Sequence, residues 1–149
     1  MNEWLNLKMI SLANNNIKRL NRVWFPPVLE NLWSLDLSYN SIIEIPKDFF
    51  TGMPALRKLR LDNNFMKTLH DWWLGPVWNH LHEFWIDKNN MTCNPDLSWI
   101  PNATHPTFFD EGMCCSPRKQ IMRYFHELRN LDEDITPLEP QSPYKSVNN

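Results

Sequence analysis

Three cysteines, Cys93, Cys114 and Cys115, carry the most reactive side chains in this sequence of 149 residues. An odd number cannot all pair within one chain, and a leftover cysteine in a secreted protein points to a bond with another chain. Vicinal Cys114 and Cys115 make a poor pair with each other, because so small a ring is strained. The plain alternative is a buried free thiol. A zinc site from Cys93, Cys114, Cys115 and His105 would lack the paired C-x-x-C spacing of structural zinc, so no metal is expected. His80, His82 and Glu83 are close in sequence but belong to different segments, and His126-Glu127 has no second histidine at metal spacing. G-x-S-x-G, H-E-x-x-H and phosphate-cradling glycine loops do not occur, and the chain has only three glycines. No enzyme and no cofactor are expected. Asn90-Met91-Thr92 and Asn102-Ala103-Thr104 both satisfy N-x-T for glycosylation. Asn102, in a stretch between Pro101 and Pro106, is the better-placed acceptor.

The elements that would position these residues form a repeat. Leu32, Leu35, Leu37, Asn40, Ile42 and Ile45 are spaced L-x-x-L-x-L-x-x-N-x-I-x-x-I, followed by Pro46, Phe50 and Met53. The pattern restarts at Leu56, Leu59, Leu61, Asn64, Met66 and Leu69. It is also present from Leu7 (Ile10, Leu12, Asn15, Ile17, Leu20) and from Leu81 (Phe84, Ile86, Asn89, Met91). The asparagines Asn15, Asn40, Asn64 and Asn89 are 25, 24 and 25 residues apart. A strand shows alternate residues to one face, so Leu35 and Leu37 point inward and Asp36 outward. The asparagine falls where the coil turns inside, and a buried amide is costly unless it bonds backbone groups of its own and the neighbouring coil.

This pattern resembles the leucine-rich repeat of the typical extracellular class. The resemblance implies an α/β solenoid: a short curved array with a parallel concave sheet, an irregular or short-helical convex side and a C-terminal helical cap. The expected layout is four coils over 1–92, from residues 7, 32, 56 and 81, a disulfide cap over 93–131, and a disordered tail over 132–149. Cys93, Leu97 and Trp99-Ile100 resemble the start of the C-terminal flanking cap of such repeats, although Pro95 stands where that cap has its second cysteine. Cys93 is expected to bridge to Cys114 or Cys115. Ile121, Phe125, Leu128 and Leu131 at helical spacing, with Pro117 before and Pro137 after, predict a helix over 118–131. One upstream cysteine, a double cysteine and then a helix resemble the insect leucine-rich immune proteins. In that family the double cysteine gives one intrachain bridge and one to a partner chain, which implies a disulfide-linked partner here through Cys114 or Cys115.

Repeat proteins bind through the outward columns of their strands. The column between the strand leucines runs Ser11, Asp36, Arg60, Trp85. Flanking columns hold Lys8, Trp33, Arg57, His82 and Asn14, Tyr39, Asn63, Lys88. Trp33, Asp36, Tyr39, Arg57, Arg60 and Trp85 are therefore the expected protein-binding residues, since Trp, Tyr and Arg dominate interface hot spots. Trp72, Trp73 and Trp78, around Gly75-Pro76, read as convex-side packing, or else as an exposed aromatic patch for a partner.

The formal charge of −2 gives no reason to expect nucleic-acid binding, and no apolar run reaches the roughly 18–20 residues that span a bilayer. No basic-then-apolar leader opens the sequence. The expectation is a piece of a longer extracellular or secreted protein, or a gene model missing its first exon; the alternative to truncation at the first coil is a short non-disulfide cap made by Trp4 and Leu5. The competing expectation is an intracellular scaffold or adaptor with reduced cysteines.

Overall fold

The computed structural model describes residues 3–92 and three further strand segments, 108–110, 113–115 and 122–124. Five strands form one parallel sheet in chain order: β1 (Met9–Ser11), β2 (Ser34–Asp36), β3 (Lys58–Arg60), β4 (Glu83–Trp85) and β5 (Phe108–Asp110). Each strand is three residues long, and each coil returns to lay the next one beside it. The register pairs Ile10, Leu35, Leu59, Phe84 and Phe109 in one column. Leu35, Leu59 and Phe84 are wholly buried. The apolar residue two positions further on, at Leu37, Leu61 and Ile86, is buried too, as the two-residue strand period requires.

Behind the sheet the return paths fill the core. Leu29, Leu32, Ile42, Phe49, Met53, Met66, Leu69, Leu74 and Leu81 all join one buried cluster. Phe25 meets Phe49 edge-on at 5.8 Å, and Phe49 meets Phe50 at 5.2 Å. Burial weakens toward β1, the outer strand, where Ile10, Leu12 and Ile17 are only partly covered. Trp4, in a 3-10 turn over Glu3–Asn6, closes edge-on against Phe25 at 6.4 Å.

The asparagine ladder has a specific geometry. Asn40 Nδ2 donates to Leu12 O of the preceding coil and to Leu37 O of its own. Asn64 does the same with Leu37 O and Leu61 O, and Asn89 with Leu61 O and Ile86 O. The carbonyls of Leu37 and Leu61 thus each receive two side-chain amides. Each Oδ1 accepts a backbone N–H from the preceding coil: Ile17 for Asn40, Ile42 for Asn64 and Met66 for Asn89. Among the described residues Asn15, on the outer coil, bonds only its own Leu12 O and Ala13 O.

The third return path is α1 (Asp71–Trp78), which buries Trp73, Leu74, Val77 and Trp78 and leaves Trp72 exposed. Pro76 lies inside it and has no N–H to offer the Trp72 carbonyl. The second return path turns on Gly52 at φ +78°, and Arg22 clamps the first return to the second. Its guanidinium donates to Thr51 O, Phe25 O, Pro26 O and Pro27 O.

Two features depart from the sequence expectation. The repeat does not stop at four strands, because β5 extends the sheet from within the stretch assigned to the cap. Residues 122–124, expected inside the helix 118–131, form strand β7 (Met122–Tyr124) antiparallel to β6 (Met113–Cys115). The Ile121–Phe125 run carries aromatic residues that suit a strand as well as a helix, and a short apolar run cannot be assigned by periodicity alone. The remaining positions of that helix, the tail over 132–149, Cys93, Asn102 and His105 lie outside the described residues.

Candidate concave recognition face

The sheet places two outward columns on either side of the buried one. Ser11, Asp36, Arg60 and Trp85 pair in register, as do Met9, Ser34, Lys58 and Glu83. The second column is absent from the residues chosen by sequence. The signal for it was present: if Leu35 points inward, both Ser34 and Asp36 point outward. It contributes the Lys58–Glu83 ion pair, at 2.8 Å.

Arg60 is the centre of the face. Its Nε and Nη2 donate to the two carboxylate oxygens of Asp62 at 3.1 Å each, a bidentate fork. Its Nη1 lies 3.9 Å from Asp36 Oδ2, and the guanidinium sits 5.3 Å from the Trp85 ring centroid. Asp36 is itself oriented, its Oδ1 accepting from the Ser38 N–H and hydroxyl. The hydrogen bond to Asp62 is the first cause holding the Arg60 pKa above its ordinary value. Across the sheet, the hydrogen bond from Lys58 draws Glu83 below the usual carboxylate range. Asp62, missed in the sequence reading, is thus the partner that fixes Arg60.

The aromatic residues frame this polar centre. Trp33 is 39% exposed and Tyr39 49% exposed, while Trp85 is half-buried. Arg57 is held by its own chain, donating to Pro54 O and Leu56 O. Tyr39 belongs to a column with an unusual backbone: Asn14, Tyr39, Asn63 and Lys88 have φ of 57°, 54°, 56° and 55°. Asparagine tolerates this left-handed conformation, whereas a bulky side chain there is an outlier. The structure therefore brings Asp36, Arg60 and Trp85 together and sets Trp33, Tyr39 and Arg57 around them.

His80 and His82 are both exposed. No cluster of three metal-ligating side chains occurs among the described residues. Asn90 is exposed beside the ladder. Cys114 and Cys115 lie in β6. No helix among the described residues is long and apolar enough to cross a membrane.

Comparison with known proteins agrees with this architecture. The sequence model of the family described as Leucine rich repeat matches residues 30–76. Trophoblast glycoprotein of Macaca fascicularis is 28% identical over 141 residues, covering 91% of this chain and 33% of its own length. Toll-like receptor 9 of Mus musculus is 32% identical over 88 residues, 59% of this chain and 8% of the receptor. The crystal structure of human trophoblast glycoprotein, also called Wnt-activated inhibitory factor 1, superposes with a TM-score of 0.64 at 26% identity. It covers 87% of this chain and 48% of that one. The chain spans a third or less of the length of the curated relatives it matches.

Proposed function

We propose that this leucine-rich-repeat solenoid is a non-enzymatic recognition module of an extracellular protein and binds a protein partner across its concave face. The observation that carries the reading is the state of that face. Arg60 is pinned between Asp62, Asp36 and Trp85, so the Asp36 carboxylate and the Trp85 ring beside it are set in place before any partner arrives. Preorganised charge lowers the ordering cost of binding, and the exposed Trp33 and Tyr39 supply the large rigid contact area that interface hot spots favour. An extracellular setting, in innate immunity or cell-surface recognition, is supported by the likeness to a glycoprotein and a Toll-like receptor and by the N-x-T sites at Asn90 and Asn102. In that setting Cys93 bridges Cys114 or Cys115, and the remaining cysteine is available to a partner chain.

The test is site-specific photocrosslinking of the secreted chain on intact cells. A crosslinker at position 36, on the concave face, should give a protein adduct that Trp33→Ala and Tyr39→Ala weaken. The same group at Asp48, on a return path, should not. Adducts from position 48 alone would overturn the face assignment. Reducing and non-reducing gels of native material test the cysteines separately, and a fully reduced chain would remove the bridge.

A further inference from the structure

One large exposed ring belongs neither to the concave face nor to the core. Phe65, which directly follows the ladder residue Asn64, is 51% exposed. The backbone fixes what stands beside it. The Met66 N–H donates to Asn89 Oδ1 and the Thr92 N–H to Lys67 O, so Phe65 and Asn90 hold the same position on neighbouring coils. Chains bonded in this way lie about 5 Å apart. Asn90 heads Asn90-Met91-Thr92, one of the two N-x-T acceptors of the sequence. Its neighbour Asn89 commits its amide to Leu61 O and Ile86 O. The Asn90 side chain is exposed and makes no hydrogen bond among the described residues. Met91, which follows it, is 2% exposed, so the acceptor amide points away from the core.

A sugar linked at Asn90 meets a matching surface. A pyranose ring is polar at its rim and carries C–H groups on its faces, and the electron-rich face of an aromatic ring attracts such groups. Phe65 offers that face one coil spacing from the linkage, and a sugar covers it while keeping its own hydroxyls in water. The pairing is particular to this place. The positions equivalent to Phe65 on the other coils are Asn16, Ser41 and Asn90, all polar. The lone phenylalanine of the column thus stands beside the one member that heads an N-x-T triplet. We propose that Asn90 carries an N-linked glycan whose first sugar packs on the Phe65 ring. In the linkage step Asn90 Nδ2 bonds to the anomeric carbon of an oligosaccharide supplied on a lipid diphosphate. The bond from that carbon to the diphosphate oxygen breaks, the lipid diphosphate leaves with the electron pair, and Nδ2 gives up one proton to the medium. The inference rests on the extracellular reading, because proteins meet such a donor on the secretory route.

The full chain exported from cultured cells behind a secretion leader tests it, with Asn102→Gln throughout so that one acceptor remains. Mass spectrometry after amidase removal of the glycan in heavy-oxygen water should find Asn90 converted to labelled aspartate in most of the chains. Trimming the glycan to its first sugar with an endoglycosidase should leave the thermal midpoint unchanged. Removing that sugar with the amidase should lower the midpoint by about 2–4 °C, the size of one aromatic contact in a chain of this length. In Phe65→Ser the amidase leaves the same aspartate but should not shift the midpoint. An unmodified Asn90 in the exported chain, or equal amidase shifts with Phe65 and with Phe65→Ser, would overturn this inference alone. Native material free of every glycan would overturn the extracellular reading together with it.

Discussion

Asn64 should be the most costly ladder position to lose, and its cost follows from its bonds. The side chain is 3% exposed. Its Oδ1 accepts from the Ile42 N–H at 3.0 Å, and Ile42 is itself fully buried. Its Nδ2 donates to Leu37 O and Leu61 O at 3.0 Å each. In Asn64→Ala those two carbonyls keep a second amide, from Asn40 and Asn89 respectively. The Ile42 N–H keeps nothing, and a buried orphaned donor costs about 1–3 kcal/mol. Two lost net hydrogen bonds add about 0.5–1.5 kcal/mol each, giving roughly 2–6 kcal/mol in total. Asn15→Ala is the control. Asn15 is exposed, bonds only its own coil among the described residues, and shares Leu12 O with Asn40, so its loss should cost less than about 1 kcal/mol. Asn64→Asp separates hydrogen bonding from packing, since it keeps the volume but turns an oxygen toward three carbonyls. It should be at least as damaging as alanine. Urea unfolding followed by circular dichroism reads all three, with an expected midpoint drop of about 1–3 M for Asn64→Ala. Equal costs at Asn15 and Asn64, or a mild effect of Asn64→Asp, would refute the coil-to-coil argument.

Gly52→Ala should destabilise by about 2 kcal/mol or more, because φ is +78° and an added Cβ would lie 2.1 Å from Pro27 O. Thermal melting reads that loss. Glu83 has a pKa lowered first by its hydrogen bond from Lys58. The stability it contributes is therefore present above its unfolded pKa near 4.5 and lost as pH falls through the lower folded value. Urea midpoints of the wild type and Glu83→Gln should converge as the solution is acidified from about pH 6 to pH 3, and a gap that stays constant would remove the pair from the account. Tyr39→Asn relieves a left-handed strain of about 1–2 kcal/mol but gives up the half-buried ring. Calorimetry should show a small net change in stability, while partner capture by the position-36 crosslinker falls severalfold.

The scaffold was legible because each leucine position answers to a single physical demand. Leu35, Leu59 and Phe84 are inward by strand alternation, and the register confirms them as one column. The same spacing pointed to the fifth strand, since Phe109 follows Phe84 by 25 residues. It was obscured because Glu111 and Cys114 stand where the pattern has a leucine and an asparagine, so the consensus failed while the geometry continued. The segment at 122–124 was misread for the opposite reason. An apolar stripe at helical spacing is only a local preference, and pairing with Met113–Cys115 competes with it.

The face was legible in position but not in state. Repeat geometry put Asp36, Arg60 and Trp85 in one column, yet sequence spacing cannot reveal that Asp62 occupies both ends of the Arg60 fork. That difference changes the chemistry expected of a partner. A free arginine invites a carboxylate from outside, whereas this one already has its carboxylate, with a second nearby at Asp36. A new acidic group would have to displace Asp62 and leave it unpaired, which costs most where Asp62 is 5% exposed. The pinned Arg60 is better suited to orienting the Trp85 ring and the Asp36 carboxylate than to supplying a free charge. The strongest contacts are then expected from Trp33 and Tyr39, whose exposed surface can be covered without breaking any ion pair of the sheet.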